Sequence, residues 1–327
     1  MRIETIMRAL ADPTRLRIMR LLGVMELAVG ELAQVLGQSQ PRVSRHIGIL
    51  CDAGLAERHR EGSWVFLRAP SSTGKPAVEA VTHLLAAAEE QDPQFSATCE
   101  EDRQQLAAIR AARDESAASY FAAHAQDWDQ LRSLHSPDGQ VEEQLLAALG
   151  DAPLGHVLDI GTGTGRMAEL FAPRAASVVA LDKSLDMLRV ARAKLQHLPA
   201  GEVELVQGDF ANLPFAAHRF DTVLLHQVLH FAQDPAAALA EAARVTKPGG
   251  RLAIVDFASH EREELRDRYA HARLGFGDKA MADLLREAGY QGAAPISLQG
   301  GELIVKIWLG DRDGAGVRQA PRKKALQ

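Results

Sequence analysis

The sequence predicts two domains of different fold class, a small N-terminal α+β domain and a larger C-terminal α/β domain on a doubly wound parallel sheet, joined by helices. Two patterns predict this. Short amphipathic helices near the N-terminus lead into an alternating hairpin pattern. From residue 156 onward, short apolar strands alternate with helical segments. We expect a first domain at 1–76, a helical connector at 77–133, a second domain at 134–310 and a basic disordered tail at 311–327.

Length and composition are typical of a globular protein. The chain of 327 residues exceeds one ordinary domain, with 46% hydrophobic and 24% charged residues. No apolar run reaches the ~18 residues of a membrane span. The charged N-terminus lacks the apolar core of a secretory signal. We therefore expect a cytoplasmic protein without a membrane partner, in which Cys51 and Cys99 are free thiols.

The charge is divided unevenly along the chain. The net charge is −6, yet the first 70 residues hold ten Arg against seven Asp or Glu. This part therefore carries +3, which leaves −9 for the rest. The first domain is the one suited to phosphate contacts.

The first domain has the pattern of a helix-turn-helix. Asp12 followed by Pro13 predicts a helix start, because the Asp side chain accepts from free N–H groups and Pro suits the first turn. A second helix, ELAQVLG, ends at Gly37, and Ser39 is placed to cap a third, QPRVSRHIGILCDAG, which closes at Gly54. The Arg-rich third helix is the candidate recognition helix.

The third helix places its apolar residues on one side and polar residues that suit base edges and phosphates elsewhere. The run LAERHREGSWVFLRA then alternates around Gly62 and Ser63, which predicts a β-hairpin, or wing, with basic residues beside its tip. The alternative is a small helical bundle with a solvated polar face. The predicted DNA-binding residues are Ser39, Gln40, Arg42, Ser44, Arg45, His46, Arg58 and Arg60.

The stretch from Ala9 to Arg68 resembles the ArsR family of winged-helix repressors, in ALADPTRLRIMRLL, SQPRVSRHIGIL and DAGL. The resemblance implies a repressor that binds a palindromic operator in double-stranded DNA as a homodimer. Metal sensors of that family often carry a cysteine pair in the helix before the turn. This sequence instead has LAVG at residues 27–30, so we expect no metal site.

The connector carries aromatic residues that are scarce elsewhere in the chain. SSTGKPA, at 71–77, is a turn-rich break, and the composition from 99 to about 133 predicts long helices. Their apolar residues suit either pairing of two protomers or bridging of the two domains. A lid over a ligand and ordinary packing are both open for the aromatic residues. The lid candidates are Tyr120, Phe121 and Trp128, with His124 beside them.

The segment HVLDIGTGTGRMAELFA predicts a buried strand, a glycine-rich turn and a helix. A dinucleotide fingerprint would need glycine at 166, where the chain has Arg166. The spacing instead resembles motif I of class I S-adenosylmethionine-dependent methyltransferases. The strands SVVALD, VELVQ, RFDTVLLH and RLAIVDF follow in that family's order, with a Gly-Gly turn expected before RLAIVDF, the fifth strand. ADLLREAGY is predicted helical, and GELIVKIWL is a last strand. Ligands of such sheets bind at the carboxyl ends of the strands.

Residues 120–310 most resemble the ubiquinone and menaquinone methyltransferase type of this superfamily. The resemblance implies that Asp159 and Gly161 line the methionine end of the ligand and that Asp182 holds the ribose. Met187 packs on the nucleoside, and Asp209 with Phe210 reads adenine. The predicted ligand-binding residues are Asp159, Gly161, Thr162, Gly163, Gly165, Asp182, Lys183, Met187, Gly208, Asp209, Phe210, His226 and Gln227.

His226 and His230 are weak candidates for a catalytic base, since they follow the fourth strand and could share a helical face. Without a carboxylate partner, lining the ligand site is the favoured role. The fusion of both modules resembles ArsR-type repressors that respond to S-adenosylhomocysteine and control methionine-cycle genes. The favoured hypothesis is therefore a sensor of S-adenosylhomocysteine or S-adenosylmethionine. The alternatives are an active small-molecule methyltransferase and a metal or redox sensor that uses Cys51 and Cys99.

Overall fold

The computed structural model describes residues 2–70, 76–133, 138–299 and 301–313. Asp311 and Arg312 belong to the last strand, so the predicted disordered tail does not begin at 311. Residues 314–327 of that tail, and residues 71–75 of the predicted break, lie outside the described residues. The chain forms two compact units. Unit 1 comprises residues 1–123, 230–234 and 259–275, and unit 2 comprises 124–229, 235–258 and 276–327. In the part of the chain that the structure describes, no helix is both long and apolar enough to cross a membrane.

Unit 1 is built on short helices, a small sheet and two longer helices. Its helices are α1 (Ile3–Leu10), α2 (Pro13–Leu22), α3 (Val29–Val35), α4 (Gln40–Asp52), α5 (Pro76–Gln91), α6 (Pro93–His124, whose last residue belongs to unit 2) and α12 (Glu264–Tyr269). Its strands are β1 (Leu27–Ala28), β2 (Glu57–Glu61) and β3 (Trp64–Arg68), paired antiparallel in the order β1-β3-β2.

The helix starts and stops in unit 1 follow from the sequence. The Asp12 carboxylate accepts hydrogen bonds from the N–H groups of Thr14 and Arg15 (2.9 and 3.3 Å), so the predicted N-cap of α2 is confirmed. Gly54 adopts the left-handed conformation just after α4, at φ +71°. Ser39 is the N-cap residue of α4, but its side chain makes no capping hydrogen bond, contrary to expectation. The predicted hairpin is β2 and β3.

Unit 2 has an α/β architecture around one larger sheet. Its helices are α7 (Trp128–Ser133), α8 (Asp138–Leu149), α9 (Arg166–Phe171), α10 (Leu185–Leu195), α11 (Pro235–Val245) and α13 (Asp278–Glu287). Its strands are β4 (His156–Ile160), β5 (Ser177–Asp182), β6 (Val203–Gln207), β7 (Phe220–His226), β8 (Thr246–Phe257), β9 (Tyr290–Gly292), β10 (Ile296–Leu298) and β11 (Val305–Arg312).

The sheet of unit 2 is mixed. The strands run in the order β10-β11-β8-β7-β4-β5-β6, with β9 also paired to β11. The pairs among β6, β5, β4, β7 and β8 are parallel, whereas β11 runs antiparallel to β8. The predicted doubly wound α/β fold is confirmed, but its sheet is parallel only from β6 to β8 and antiparallel on the side of β11. The first strand of this sheet, β4, lies at the point where the strand order reverses, which is where ligands bind in such folds.

One local prediction also differs. We expected a Gly-Gly turn before the fifth strand, but β8 begins at Thr246 and includes both glycines. The register with β7 shifts between Phe220, which pairs with Thr246, and Thr222, which pairs with Arg251. Residues 247–250 therefore form an irregularity within the strand, where Gly249 adopts φ +76°.

Candidate functional site

The glycine turn between β4 and α9 forms the floor of the candidate pocket. Gly161, Gly163 and Gly165 all have positive φ angles, of +71°, +55° and +86°. A Cβ at Gly161 would overlap the side chain of Val228, and one at Gly163 would lie 3.4 Å from the Trp128 Nε1. Because of the positive φ angles and these close neighbours, only glycine fits at these positions without strain.

Asp182, the last residue of β5, holds this turn in place. Its Oδ2 accepts a hydrogen bond from the Gly163 N–H, and its Oδ1 accepts one from the Ser184 N–H, both at 2.8 Å. Burial raises the pKa of Asp182, and these backbone hydrogen bonds oppose that rise. The carboxylate is thus fixed at the carboxyl end of the sheet, beside the turn.

Asp159 lies one strand away, at the end of β4, and is buried. Its Oδ2 accepts from the Thr162 hydroxyl at 2.5 Å, while its Oδ1 has no hydrogen-bond partner among the described residues. Burial raises the pKa of Asp159 to about 7, with the Thr162 hydrogen bond opposing the rise and the nearby Asp182 adding to it. A buried acceptor left open in this way is suited to a donor from a ligand.

His226 is the last residue of β7, and Gln227 comes directly after it. The His226 Nε2 and the Gln227 Nε2 are buried without a hydrogen-bond partner among the described residues. Gln227 also adopts φ +52°, an unfavourable angle for a side chain of this kind, held by a 2.7 Å hydrogen bond from its N–H to the Val255 carbonyl. Two open polar groups and a strained backbone mark this strand end as part of the site.

The helix α7 contributes a residue that the sequence did not single out. Arg132 is 12% exposed at its side chain and forms a 3.1 Å ion pair with Asp138. Burial and then the positive charge of Arg132 lower the pKa of His226 to about 3. The same helix packs on the turn, since Asp129 accepts a 2.6 Å hydrogen bond from the Thr164 hydroxyl and pairs with Lys194. In the sequence, the only sign that Arg132 belongs to the site is its position on a helical segment before motif I.

The predicted adenine end lies after β6. The Asp209 Oδ1 accepts a hydrogen bond from the Ala211 N–H at 2.9 Å, and its Oδ2 pairs with the Lys183 ammonium at 2.9 Å. At Gly208 a Cβ would lie 2.8 Å from the Leu181 Cδ1, so glycine is required by packing. Met187 is buried in the first turn of α10. Phe210 is half-buried beside Asp209.

The residues of the pocket fit a nucleoside with an amino-acid side chain. The open oxygen of Asp159 suits an ammonium group, and the Arg132 guanidinium suits a carboxylate. No group of three potential metal ligands occurs in the residues that the structure describes.

Other predicted residues belong to different elements or to unit 1. His226 ends β7 in unit 2, whereas His230 belongs to unit 1 and lies in a short 3-10 helix (Leu229–Phe231). The expectation that they share a helical face is therefore wrong. Tyr120 and Phe121 also belong to unit 1, where they contact Tyr269 and Phe231 (ring centroids 6.5 and 4.9 Å apart). Trp128, also part of the predicted lid, belongs to unit 2 and lies beside the glycine turn.

The candidate nucleic-acid interface is the outer face of α4. Val43, Ile47 and Leu50 are buried in the core of unit 1. The polar residues between them are exposed, which leaves their side chains open to a DNA groove. These exposed residues are Ser39, Gln40, Arg42, Ser44 and Arg45, joined on the wing by Arg58 and Arg60.

His46 differs from the rest of the predicted set. Its side chain is only 13% exposed, and its Nδ1 lies 3.6 Å from the Asp12 carboxylate at the start of α2. It therefore faces the interior of unit 1 instead of the outer face of α4. The i+3 position from Val43 explains this, because it falls at the border of the apolar side of the helix.

Comparison with known proteins assigns both parts of the chain. Residues 12–58 match the family model "Bacterial regulatory protein, arsR family", and residues 158–254 match the model "Methyltransferase domain". The malonyl-[acyl-carrier protein] O-methyltransferase of Pseudescherichia vulneris is 32% identical over 190 residues, which are 55% of this chain and 72% of the relative. The chain therefore belongs to the class I S-adenosylmethionine-dependent methyltransferases, with an arsR-family helix-turn-helix domain at its N-terminus.

Other relatives share less of their length with this chain. The demethylmenaquinone methyltransferase of Renibacterium salmoninarum is 40% identical over 111 residues, which are 34% of this chain and 45% of that protein. For the enzyme of that name from Thermobifida fusca, the match covers 56% of its length. The chain thus spans about half the length of these curated relatives.

A solved structure supports the fold. One chain of the complex between the Haloferax volcanii Trm112 methyltransferase activator and a methyltransferase has a TM-score of 0.51 and 20% identity. The match covers 59% of this chain and 97% of that one.

The buried Asp159 gives a stability prediction for the ligand-free protein. The pKa of Asp159 is raised when folded, so its contribution to stability is fully present below pH ~4 and is lost as pH rises through about 7. We expect Asp159→Asn to raise the melting temperature relative to the unchanged protein, by about 5 °C more at pH 8 than at pH 4. Thermal unfolding at both pH values checks this. Asp186→Asn, an exposed change on α10, should show no such difference, and an equal effect of both substitutions would refute the burial argument.

The exposed face of α4 gives a second prediction. Replacing Arg42 and Arg45 together by Ala removes two cations from the proposed phosphate-binding surface. We expect the slope of log affinity against log salt for a mixed-sequence DNA duplex to become shallower by about 1 to 2. Fluorescence anisotropy over a salt series measures it. The control replaces Arg189 and Arg192 of α10 by Ala, with the same loss of charge. A slope that changes equally in both variants would exclude α4 as the contact surface.

Proposed function

We propose that this protein is a DNA-binding repressor whose methyltransferase domain senses S-adenosylhomocysteine. The pocket of unit 2 binds the nucleoside, and α4 of unit 1 binds in the major groove of a palindromic operator. The sequence resemblance suggests control of methionine-cycle genes. The observation that carries the proposal is the environment of His226, which is buried at the end of β7 with no hydrogen-bond partner for its Nε2 among the described residues and is therefore a weak base.

The residues of the site can be matched to the chemical groups of the nucleoside. In the proposed complex the ribose hydroxyls donate to Asp182, and Asp209 with Phe210 recognises the adenine. The ammonium group of the ligand donates to the open oxygen of Asp159, and its carboxylate meets Arg132. The ion pair between Lys183 and Asp209 must break before Asp209 can bind the adenine edge. Because the pair is partly exposed to solvent, the free-energy cost of breaking it is small. When S-adenosylmethionine is bound, the group it supplies is a transferable methyl on a positively charged sulfur.

The charge around His226 supports a preference for the demethylated ligand. The Arg132 cation already disfavours a second positive charge on His226, and it would disfavour a sulfonium there in the same way. The raised pKa of Asp159 acts in the same direction, because a partly protonated carboxyl attracts a cation less than a carboxylate does. A penalty of roughly 1 to 3 kcal/mol would give S-adenosylhomocysteine about a ten- to hundredfold advantage.

The same histidine is poorly suited to base catalysis. A general base works best when its pKa lies near the working pH, and a pKa of about 3 leaves His226 with little tendency to hold a proton. No carboxylate contacts His226 among the ion pairs and hydrogen bonds of the described residues. This supports ligand lining as its role.

A second candidate function is catalysis. The relatives are named as methyltransferases of demethylmenaquinone and of malonyl-[acyl-carrier protein], and the match to the latter spans 72% of its length. For an acceptor that is already ionised, methyl transfer needs alignment more than a base. The candidate is therefore a methyltransferase of a small molecule, with a DNA-binding domain that regulates it.

Calorimetry with both nucleosides tests the first proposal. We expect S-adenosylhomocysteine to bind at least about tenfold more tightly than S-adenosylmethionine. Its affinity should fall as pH drops through about 7, because Asp159 then takes up a proton. Asp182→Asn should weaken binding about tenfold or more by removing hydrogen bonds to a charged acceptor, whereas Asp186→Asn should not.

The functional half of this test uses operator DNA selected from random duplexes by the protein itself. S-adenosylhomocysteine should change the affinity for that DNA about 10- to 100-fold, which corresponds to the usual range of coupling between sites. The rival outcome is transfer of labelled methyl from S-adenosylmethionine to demethylmenaquinone or a malonyl thioester. Such turnover, without any effect of the nucleosides on DNA affinity, would establish the enzyme and exclude the sensor.

The proposed homodimer rests on exposed apolar residues of unit 1. Ile3 and Met7 lie one turn apart on α1, Leu84 lies on α5, and both helices pack on α2. Met7 and Leu84 are each 55% exposed and lie on two helices that contact the same neighbour, α2.

Sedimentation equilibrium checks this. We expect twice the mass of one chain for the unchanged protein and a shift to one chain mass for Met7→Glu, because a two-fold interface would bury the new charge twice. Val24→Glu, an equally exposed apolar site outside these helices, should stay dimeric. A monomeric unchanged protein would contradict the dimer.

A further inference from the structure

Two segments of the methyltransferase part of the sequence belong to unit 1. Residues 230–234 follow β7 and residues 259–275 follow β8, yet both lie in the compact unit that contains α4 and the wing. The two segments are joined to each other, because the His230 carbonyl accepts hydrogen bonds from the N–H groups of Ala272 (3.0 Å) and Arg273 (2.9 Å). We call residues 259–275 the strap.

The strap is fixed to the wing by buried ion pairs. The Arg273 side chain is 2% exposed, its Nη2 lies 2.7 Å from Glu26, and its Nη1 lies 3.1 Å from Glu61. Its guanidinium also stacks 4.0 Å from the centre of the Phe66 ring. Arg266 adds a 3.4 Å ion pair to Glu61. Although burial alone would raise it, the pKa of Glu61 is lowered by the His59 hydrogen bond and by these arginines.

Glu263 of the strap covers the tip of the wing. Its Oε1 accepts a hydrogen bond from the Ser63 N–H at 2.5 Å. At Gly62, a Cβ would overlap the Glu263 carboxylate and lie 2.9 Å from Leu274. The carboxylate is oriented by Arg266, whose Nε lies 3.5 Å from its Oε2. The Glu263 carboxylate therefore occupies the Ser63 N–H group at the tip of the wing.

A DNA phosphate would need this position. Proteins commonly donate backbone N–H groups to phosphate oxygens, and a turn beside Arg58 and Arg60 is suited to do so. A carboxylate on the Ser63 N–H occupies that donor and repels the phosphate. Release of the strap would remove both effects, and a cavity of about 260 Å³ beside Trp64, Phe66, Arg266 and Arg273 leaves room for the strap to rearrange.

We propose that the strap is an autoinhibitory element, in which Glu263 occupies the wing-tip amide that DNA phosphate would bind, so that the wing engages DNA only when the strap is released. Residues 230–234 begin a few positions after Gln227, and the strap begins just after the end of β8. A nucleoside that engages Gln227 would bias the docked and released states by its differential affinity for them. This second step rests on the sensor function proposed above.

The first experiment compares two neighbouring substitutions that remove the same charge. We expect Glu263→Gln to bind a mixed-sequence duplex about tenfold more tightly than the unchanged protein, since it weakens a charged hydrogen bond and a repulsion. Glu264→Gln, whose carboxylate pairs with Arg262 instead, should change affinity less than about twofold. Equal affinities of the two variants would overturn the proposal, and so would failure of all three proteins to bind DNA.

Hydrogen exchange in the absence of DNA tests docking itself. The Ser63 amide should be protected in the unchanged protein and in Glu264→Gln, and it should exchange faster in Glu263→Gln. A Ser63 amide that exchanges at the rate of an exposed turn in all three proteins would show that the strap is not docked in solution, and the proposal would fail whatever the DNA affinities are.

The link to the nucleoside has its own readout. In a protein shown by calorimetry to bind S-adenosylhomocysteine, the nucleoside should alter both Ser63 exchange and DNA affinity. The change in DNA affinity should be at least about threefold smaller in Glu263→Gln than in the unchanged protein. Binding of the nucleoside with an equal change in both proteins would remove the strap from the signal while leaving the sensor function intact. Absence of nucleoside binding would instead defeat the sensor function and leave the two preceding tests to decide the autoinhibition.

Discussion

The hydrogen bond from the Gly163 N–H to the Asp182 carboxylate joins the turn after β4 to the end of β5, and the candidate pocket depends on this connection. It fixes a run of backbone in a left-handed conformation that glycine adopts without strain, and it places a carboxylate beside that run. The neighbouring strand ends then contribute Asp159, His226 and Gln227. Because the parallel strands share one carboxyl edge, residues far apart in the sequence meet at a single site.

The buried polar groups fall into two kinds with different physical consequences. Asp159, His226 and Gln227 each leave an atom without a hydrogen-bond partner among the described residues, which costs stability in the ligand-free protein. Arg273 also leaves its Nε without a hydrogen-bond partner among the described residues, but its charge is matched by Glu26 and Glu61, which offset its desolvation cost as long as all three stay together. The unpartnered atoms of Asp159, His226 and Gln227 favour the binding of a ligand that supplies hydrogen bonds. The second kind makes a partly separated strap costly, so that docked and released states are favoured over intermediates.

The sequence predicts the local elements well because their signals are local. Asp12 with Pro13 marks the start of α2, and the glycines of the turn mark the end of β4 and the start of α9. The antiparallel β11 was not predicted, because an apolar strand has the same pattern in either direction. Arg132 and the Glu61 to Arg273 ion pair could not be found either. They depend on contacts between residues up to 212 positions apart, for which a single sequence carries no periodic signal. The spacing of four residues suggested that His226 and His230 share one helix, but His226 ends strand β7 and His230 lies in the 3-10 helix that follows.

The discontinuous composition of unit 1 limits how this protein can be divided or recombined. A cut near residue 123 would produce an N-terminal fragment that lacks residues 230–234 and 259–275, with Glu26 and Glu61 deprived of the arginines that neutralise them. Exchange of the methyltransferase half for that of another enzyme would have the same effect unless the new half supplied an equivalent strap. The two halves are therefore constrained to be inherited together, and substitutions in the wing and in the strap should be correlated across lineages that carry this fusion.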